Sequence, residues 1–244
     1  LQYIETVNDK VGFGSCQLHT KSKYKQLKIS VMGTIKQGIL GGFSGKVGTV
    51  IGGNWKGIDY MRSKAASVSN PKTEAQLDQR ARFGAALKFL QPLTSFIRVG
   101  FKNYAVKMTA FNSAMSYNLN NALDGAYPDY FIDYTRALVS RGSLPGAFNP
   151  TVESTIAGQV EFTWEDNSSD ADANVSDLVL LVVYNPSKQQ AITVIGGNSR
   201  TAGRQMVTVP KAFSGDEVFC FIAFQNANQS ILSNSTFVGT FMVA

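Results

Sequence analysis

Residues 178–184 run Leu-Val-Leu-Leu-Val-Val-Tyr, apolar at both parities of an extended chain. A strand turns alternate side chains to opposite faces of its sheet, so this run fits a strand with both faces covered. It is too short to span a bilayer, and its β-branched content favours extended backbone over helix. Other strand-length runs surround it at 160–164, 191–195, 205–209, 217–224 and 236–243, with 131–139 expected as the first. Val160, Phe162 and Trp164 alternate with polar residues, which predicts one wet face for that strand. Gly142, Pro145, Gly146 and Pro150 read as a link that follows the first strand. Seven short strands separated by turn signals predict a β-sandwich over 126–244.

The front of the chain has a different texture. Residues 38–63 are Gly-punctuated β structure: a strand over 46–51, turn chemistry at Gly52, Gly53 and Asn54, then a returning strand from Trp55 to Arg62. Glycine at this density weakens a sheet and predicts the need for a neighbouring element or partner chain. Thr73 and Gln76 have capping-box spacing ahead of a helix carrying Phe83, Ala86, Leu87 and Leu90, and Pro92 kinks or ends that helix. A second helix is predicted from Ile97, Phe101, Tyr104, Met108, Phe111, Met115 and Leu119, which step by fours and threes along one seam. The expected architecture is therefore α+β: a Gly-rich β hairpin and two-helix unit over 32–125, followed by an all-β sandwich.

Charge divides with texture. Residues 1–150 hold 19 Lys and Arg against 8 Asp and Glu, while residues 151–244 hold 4 against 9. The swing from net +11 to net −5 suggests halves that face different surroundings, with a boundary near 150. Residues 1–31 lack periodicity, and Met32 opens a new texture; they read as an upstream extension or as a disordered basic arm. His19, the sole histidine, and Cys16 lie in that segment, which leaves Cys220 alone beyond it. A Ser–His triad, a Cys/His zinc site and a disulfide framework are then excluded from 32–244, and no cofactor is expected.

Three motifs bear on chemistry. Gly41-Gly-Phe-Ser-Gly-Lys46-Val47 fails as a phosphate loop, because Leu40 stands at the first glycine position and Val47 replaces the Mg²⁺-binding hydroxyl. Glu165, Asp166, Asp170, Asp172 and Asp177 fit a solvated loop between strands and lack calcium-loop spacing. Lys46, Trp55, Lys56, Tyr60 and Arg62 are the candidate binding residues. Alternation is expected to place Lys56, Tyr60, Arg62 and Lys64 on one face, where cations and aromatic rings suit an acidic protein, an anionic glycan or a nucleic-acid backbone.

The run from Met32 through Ser44-Gly-Lys-Val-Gly48, Trp55-Lys-Gly57, Tyr60-Met-Arg-Ser63 and Asn70-Pro-Lys-Thr-Glu-Ala-Gln76 resembles a family of uncharacterised bacterial proteins over nearly all of 32–244. That resemblance implies no activity. Pro71, Thr73, Gln76 and Arg80, placed after a Gly-rich β segment, are similar to small phage and prophage proteins of the virion. Val207-Thr-Val-Pro210, Gly215-Asp216, 219–224 and Ser233-Asn-Ser235 resemble the closing strands of fibronectin type III domains, without the tyrosine usual at that corner. The sandwich is accordingly expected to be of fibronectin or immunoglobulin type. The expected function is a non-enzymatic structural or interaction module, assembling with copies of itself or with a larger particle. The alternative is a carbohydrate- or nucleic-acid-binding module. With neither a signal peptide nor a membrane span read in the sequence, the expected location is the cytoplasm or a virion.

Overall fold

The computed structural model describes residues 34–35, 42–67 and 70–244. Met32, His19, Cys16 and the expected extension over 1–31 lie outside them. The chain divides into two compact units, Leu1–Val68 and Ser69–Ala244.

The first unit is an antiparallel meander of β1 (Thr34–Ile35), β2 (Phe43–Val47), β3 (Val50–Trp55) and β4 (Ile58–Ser63), ordered β1-β2-β3-β4. Its tight turns fall at Gly48 (φ 59°) and at Lys56-Gly57 (φ 49° and 82°), where two-residue hairpins demand positive φ. Gly52-Gly53-Asn54, expected as the turn, instead lies inside β3. Those glycines serve close approach. A Cβ on Gly52 would sit 2.3 Å from the Phe43 carbonyl oxygen, and one on Gly53 would sit 2.8 Å from the Tyr60 hydroxyl. The motif rejected as a phosphate loop is strand β2 from Phe43 to Val47, and a hairpin follows it rather than a helix.

The second unit opens with α1 (Glu74–Leu90), a 3₁₀ turn over Gln91–Leu93, α2 (Thr94–Gly100) and α3 (Ala110–Asn121). Thr73 is the N-cap of α1, but its side chain makes no cap bond, so the expected capping box with Gln76 does not form. As expected from Pro92, α1 ends just ahead of it, at Leu90, and Pro92 sits in the 3₁₀ turn that leads into α2. The long seam expected from Ile97 to Leu119 is broken in two. Gly100 passes so close to the Val139 carbonyl that a Cβ would lie 2.4 Å from its oxygen, and the helix stops there. Thr109 starts a fresh helix, its hydroxyl accepting the Asn112 N–H at 3.1 Å. Tyr104 and Met108 fall between the two helices and are exposed.

A small hairpin, β5 (Leu123–Ala126) with β6 (Asp129–Ile132), leads into the sandwich. Its strands are β7 (Phe148–Glu153), β8 (Gln159–Glu165), β9 (Leu178–Asn185), β10 (Gln190–Ser199), β11 (Arg204–Thr208), β12 (Glu217–Gln225) and β13 (Thr236–Met242). They form one sheet ordered β11-β8-β7 and another ordered β10-β9-β12-β13. The expected first strand over 131–139 is not one of them. The first sandwich strand is β7, which carries Pro150 of the expected link. As the edge of its sheet it tolerates a residue without an N–H.

Two hydrophobic clusters explain the doubly apolar run. Val179, Leu181 and Val183 of β9, with Val218, Cys220, Ile222 and Phe224 of β12, face Phe162, Trp164 and Val207 across the sandwich. Leu180, Val182 and Tyr184, with Phe221 and Ala223, face away and pack against Phe89, Leu90, Leu93, Phe96, Ile97 and Met115 of the helical segment. Phe89 meets Tyr184 edge-on at 5.4 Å between ring centroids. The helices thus belong with the sandwich, as a third layer, and not with the Gly-rich sheet. The expected 32–125 grouping and the boundary at 125/126 differ from this because the apolar stripe of the helices finds its partner on β9 and β12.

The stretch read as a link is pinned. Leu144 bridges Ser233, and a Cβ on Gly142 would lie 1.9 Å from the Leu232 carbonyl oxygen. Arg200, fully buried, donates from Nη2 to the Pro145 carbonyl at 2.9 Å and from Nη1 to the Gly146 carbonyl at 3.1 Å.

Candidate functional site

The register of the small sheet assembles the site. Lys46 lies opposite Ile51, and Ile51 opposite Arg62, making one row across three strands. Gly53 lies opposite Tyr60, and Trp55 opposite Ile58. Because strand side chains alternate, Lys46, Ile51, Trp55, Ile58, Tyr60 and Arg62 share one face. Gly53 leaves room for the Tyr60 ring to lie across β3. The face is open: Trp55 is 54% exposed, Ile58 55% and Tyr60 47%.

Of the five residues expected from sequence, four share this face. Lys56 does not; it stands at the positive-φ turn between β3 and β4. That turn is braced by Asn54, whose side-chain carbonyl accepts the Gly57 N–H at 3.1 Å while its amide donates to Asp59 at 2.7 Å. Asp59 is the only acidic residue between 42 and 67, against Lys46, Lys56, Arg62 and Lys64. It lies on the opposite face with Val47, Val50 and Met61, all exposed. One side of the sheet is therefore cationic and aromatic, the other more apolar.

The acidic residues between β8 and β9 divide. Asp166 and Asp170 cap local turns through Ser168 and Asn167. Asp177, expected in the solvated loop, is instead buried, with its Oδ2 3.2 Å from Arg200 Nε. Arg200 also donates to Asn167 at 2.6 Å and stacks 4.0 Å from the Phe224 ring centroid, a centre that no sequence signal marked. Burial pulls its guanidinium below the ordinary arginine range while Asp177 opposes that fall. Its role is to clamp the 145–146 segment, the β8–β9 loop and the sandwich core together.

Elsewhere, burial pushes Tyr134 up to about 12 and Cys220 up to about 12. Bonds from Thr135 and Arg136 hold Asp133 down at about 2. A groove of about 550 Å³ runs between α1 and α3, lined by Gln79, Arg82, Phe83, Asn112, Met115 and Leu119 among others. Among the described residues no three His, Cys, Asp or Glu side chains converge as metal ligands would. No helix among them is long and apolar enough to cross a membrane.

Residues 42–239 match the family of unknown function DUF6266. The chain belongs to DUF6266. The DUF6266 match takes in β2–β4, the helices and the sandwich as far as Gly239 of β13, so the small sheet is part of what the family shares. No curated protein matches the chain. Among solved structures, the fn3 domain of human collagen α-1(XX) is similar at 14% identity over 43% of this chain and 91% of its own length, with a TM-score of 0.31. Titin kinase with its flanking domains is similar at 15% identity, over 43% of this chain and 18% of that solved chain, TM-score 0.31. The twitchin kinase region of C. elegans is similar at 14% identity, over 42% and 17%, TM-score 0.29.

Proposed function

We propose that this DUF6266 chain is a non-catalytic interaction module that assembles, through its Gly-rich sheet, with copies of itself or with a larger particle of the virion kind. One observation carries the reading. From 42 to 67 only Gly52 is buried, while Trp55, Ile58, Tyr60 and the 71% exposed Met61 stand open on the two faces. A sheet without a core gains about 1.5–3 kcal/mol for each large apolar side chain that a partner covers. The reading calls for no cofactor.

Mass-resolved size exclusion at low and high salt tests it. The expected result is a defined oligomer at both salts, with Trp55 emission blue-shifted as concentration rises and the oligomer weakened by Trp55→Ala. A monomer at every concentration and salt would sink the self-assembly reading.

The row Lys46–Arg62 beside Trp55 and Tyr60 favours a second reading, a binder of single-stranded nucleic acid or anionic glycan. Affinity would then fall steeply with salt, and ligand would quench Trp55. Salt-independent passage over immobilised heparin, with unchanged emission, would count against it.

A further inference from the structure

Among the described residues strand β4 is an edge of its sheet, and all six of its residues are exposed. The Lys64 N–H donates to the Thr49 carbonyl, which fixes the phase of the ladder. Ile58, Tyr60 and Arg62 therefore turn their backbone groups toward β3, and Asp59, Met61 and Ser63 turn theirs outward. These outward groups are a ready template for another strand.

Three of the four sandwich edges are blunted by contrast, and the fourth, five-residue β11, has its Arg204 carbonyl taken by the Asn198 side chain of β10. Edge strand β7 carries Pro150 and a register break between Phe148 and Thr151. Edge strand β10 breaks register between Ile195 and Ser199, and the pairing of edge strand β13 with β12 breaks between Cys220 and Phe221. Strand β4 has an unbroken register from 58 to 63, no proline and no lysine. Its two charges, Asp59 and Arg62, are of opposite sign, so they do not repel a second copy as a like-charged edge would.

We infer that β4 pairs antiparallel with β4 of a second copy of this chain, about a two-fold axis through Met61. This rests on the assembly reading above. A two-fold axis normal to the sheet sets residues of like face opposite one another, so that Met61 opposes the partner's Met61 and Asp59 opposes the partner's Ser63. All three outward-facing residues are then paired. Tyr60 stands opposite the partner's Arg62 in the closer, non-hydrogen-bonded position, where a guanidinium can stack on the ring, and the symmetry makes this contact twice. No like charges stand directly opposite one another. Centring the axis on Tyr60 leaves Ser63 unpaired and sets Ile58 against the partner's Arg62. The strand is thus complementary to itself in one register, which is what commits the edge to a second copy.

Residue-resolved amide exchange on the full chain, at dilute and concentrated protein, tests this alongside mass-resolved size exclusion. The amides of Asp59, Met61 and Ser63 should slow about tenfold or more on concentration, while those of Tyr60 and Arg62 stay protected in both. Met61→Lys sets like charges on the axis and should weaken the dimer about tenfold or more. Met61→Pro removes an N–H that β3 does not use and should do the same; continued protection of Tyr60 and Arg62 shows that the hairpin has folded. An oligomer that forms without protecting Asp59, Met61 and Ser63, and that survives both substitutions, overturns the edge pairing and leaves assembly standing. A monomer throughout overturns both.

Discussion

The two β structures of this chain solve the same problem in opposite ways. In the sandwich, β9 and β12 bury one parity against the three-stranded sheet and the other against the helices. In the Gly-rich sheet no described element of the first unit covers either face, and glycine fills central positions where a core side chain would otherwise sit. The first arrangement takes its stability from within. The second holds a shape through backbone pairing and tight turns, and leaves its side chains for something else to cover. Similar strand propensities thus support a core in one place and a surface in the other, and the difference lies in which elements follow in the chain.

If the contrast is right, substitutions in the second unit should cost far more than comparable ones in the first. Asp177→Ala leaves Arg200 buried without its carboxylate and should cost about 3–5 kcal/mol in chemical denaturation. A cost below 1 kcal/mol would show that Arg200 does not depend on its partner. Phe89→Ala empties the aromatic cluster between helix and sheet and should also cost about 3–5 kcal/mol, whereas Met61→Ala should stay within about 0.5. Equal costs would erase the distinction between the two structures. Gly52→Ala drives a Cβ into the Phe43 carbonyl, and amide exchange should speed up across β2 and β3 by an amount equivalent to about 1–3 kcal/mol.

The smallest effect concerns pH. Asp133 is held at about 2 in the folded chain, below its ordinary 3.8, so its contribution is complete above that ordinary value. It is lost as pH falls from there through about 2. A carboxyl titration by NMR should find that midpoint, and Arg136→Ala should raise it, since Arg136 supplies part of the shift.

Much of the sandwich was legible because burial writes itself as parity. Val160, Phe162 and Trp164 alternate, and 178–184 do not, so one strand has a single covered face and the other has two. Sequence could not say what covered the second face, since the helical residues that do so, from Phe89 to Met115, lie about 65 to 90 residues before Leu180. Pro150 hid β7 because proline reads as a break unless the strand is known to be an edge. The gap between α2 and α3 was hidden because the seam keeps its period across it, while its cause, Val139 pressing on Gly100, is tertiary. Gly52 and Gly53 look like a turn in sequence because their use, giving Phe43 and Tyr60 room, depends on register. The candidate face was largely legible from alternation, with Lys56 displaced by the turn that its own positive φ helps to make. Arg200 left no mark, because one arginine among many announces neither its burial nor its partners.

The helical layer also bears on how the chain is made. Phe89 and Phe221, neighbours in the folded protein with ring centroids 6.1 Å apart, are separated by more than a hundred residues in the order of synthesis. The helices leave the ribosome long before β9 and β12 exist to receive them. During translation the stripe from Phe89 to Ile97 must wait uncovered, or be held by a chaperone, until the closing strands emerge. The step that commits the second unit to its fold thus falls near the end of synthesis, and chains halted before β12 would carry that stripe unprotected.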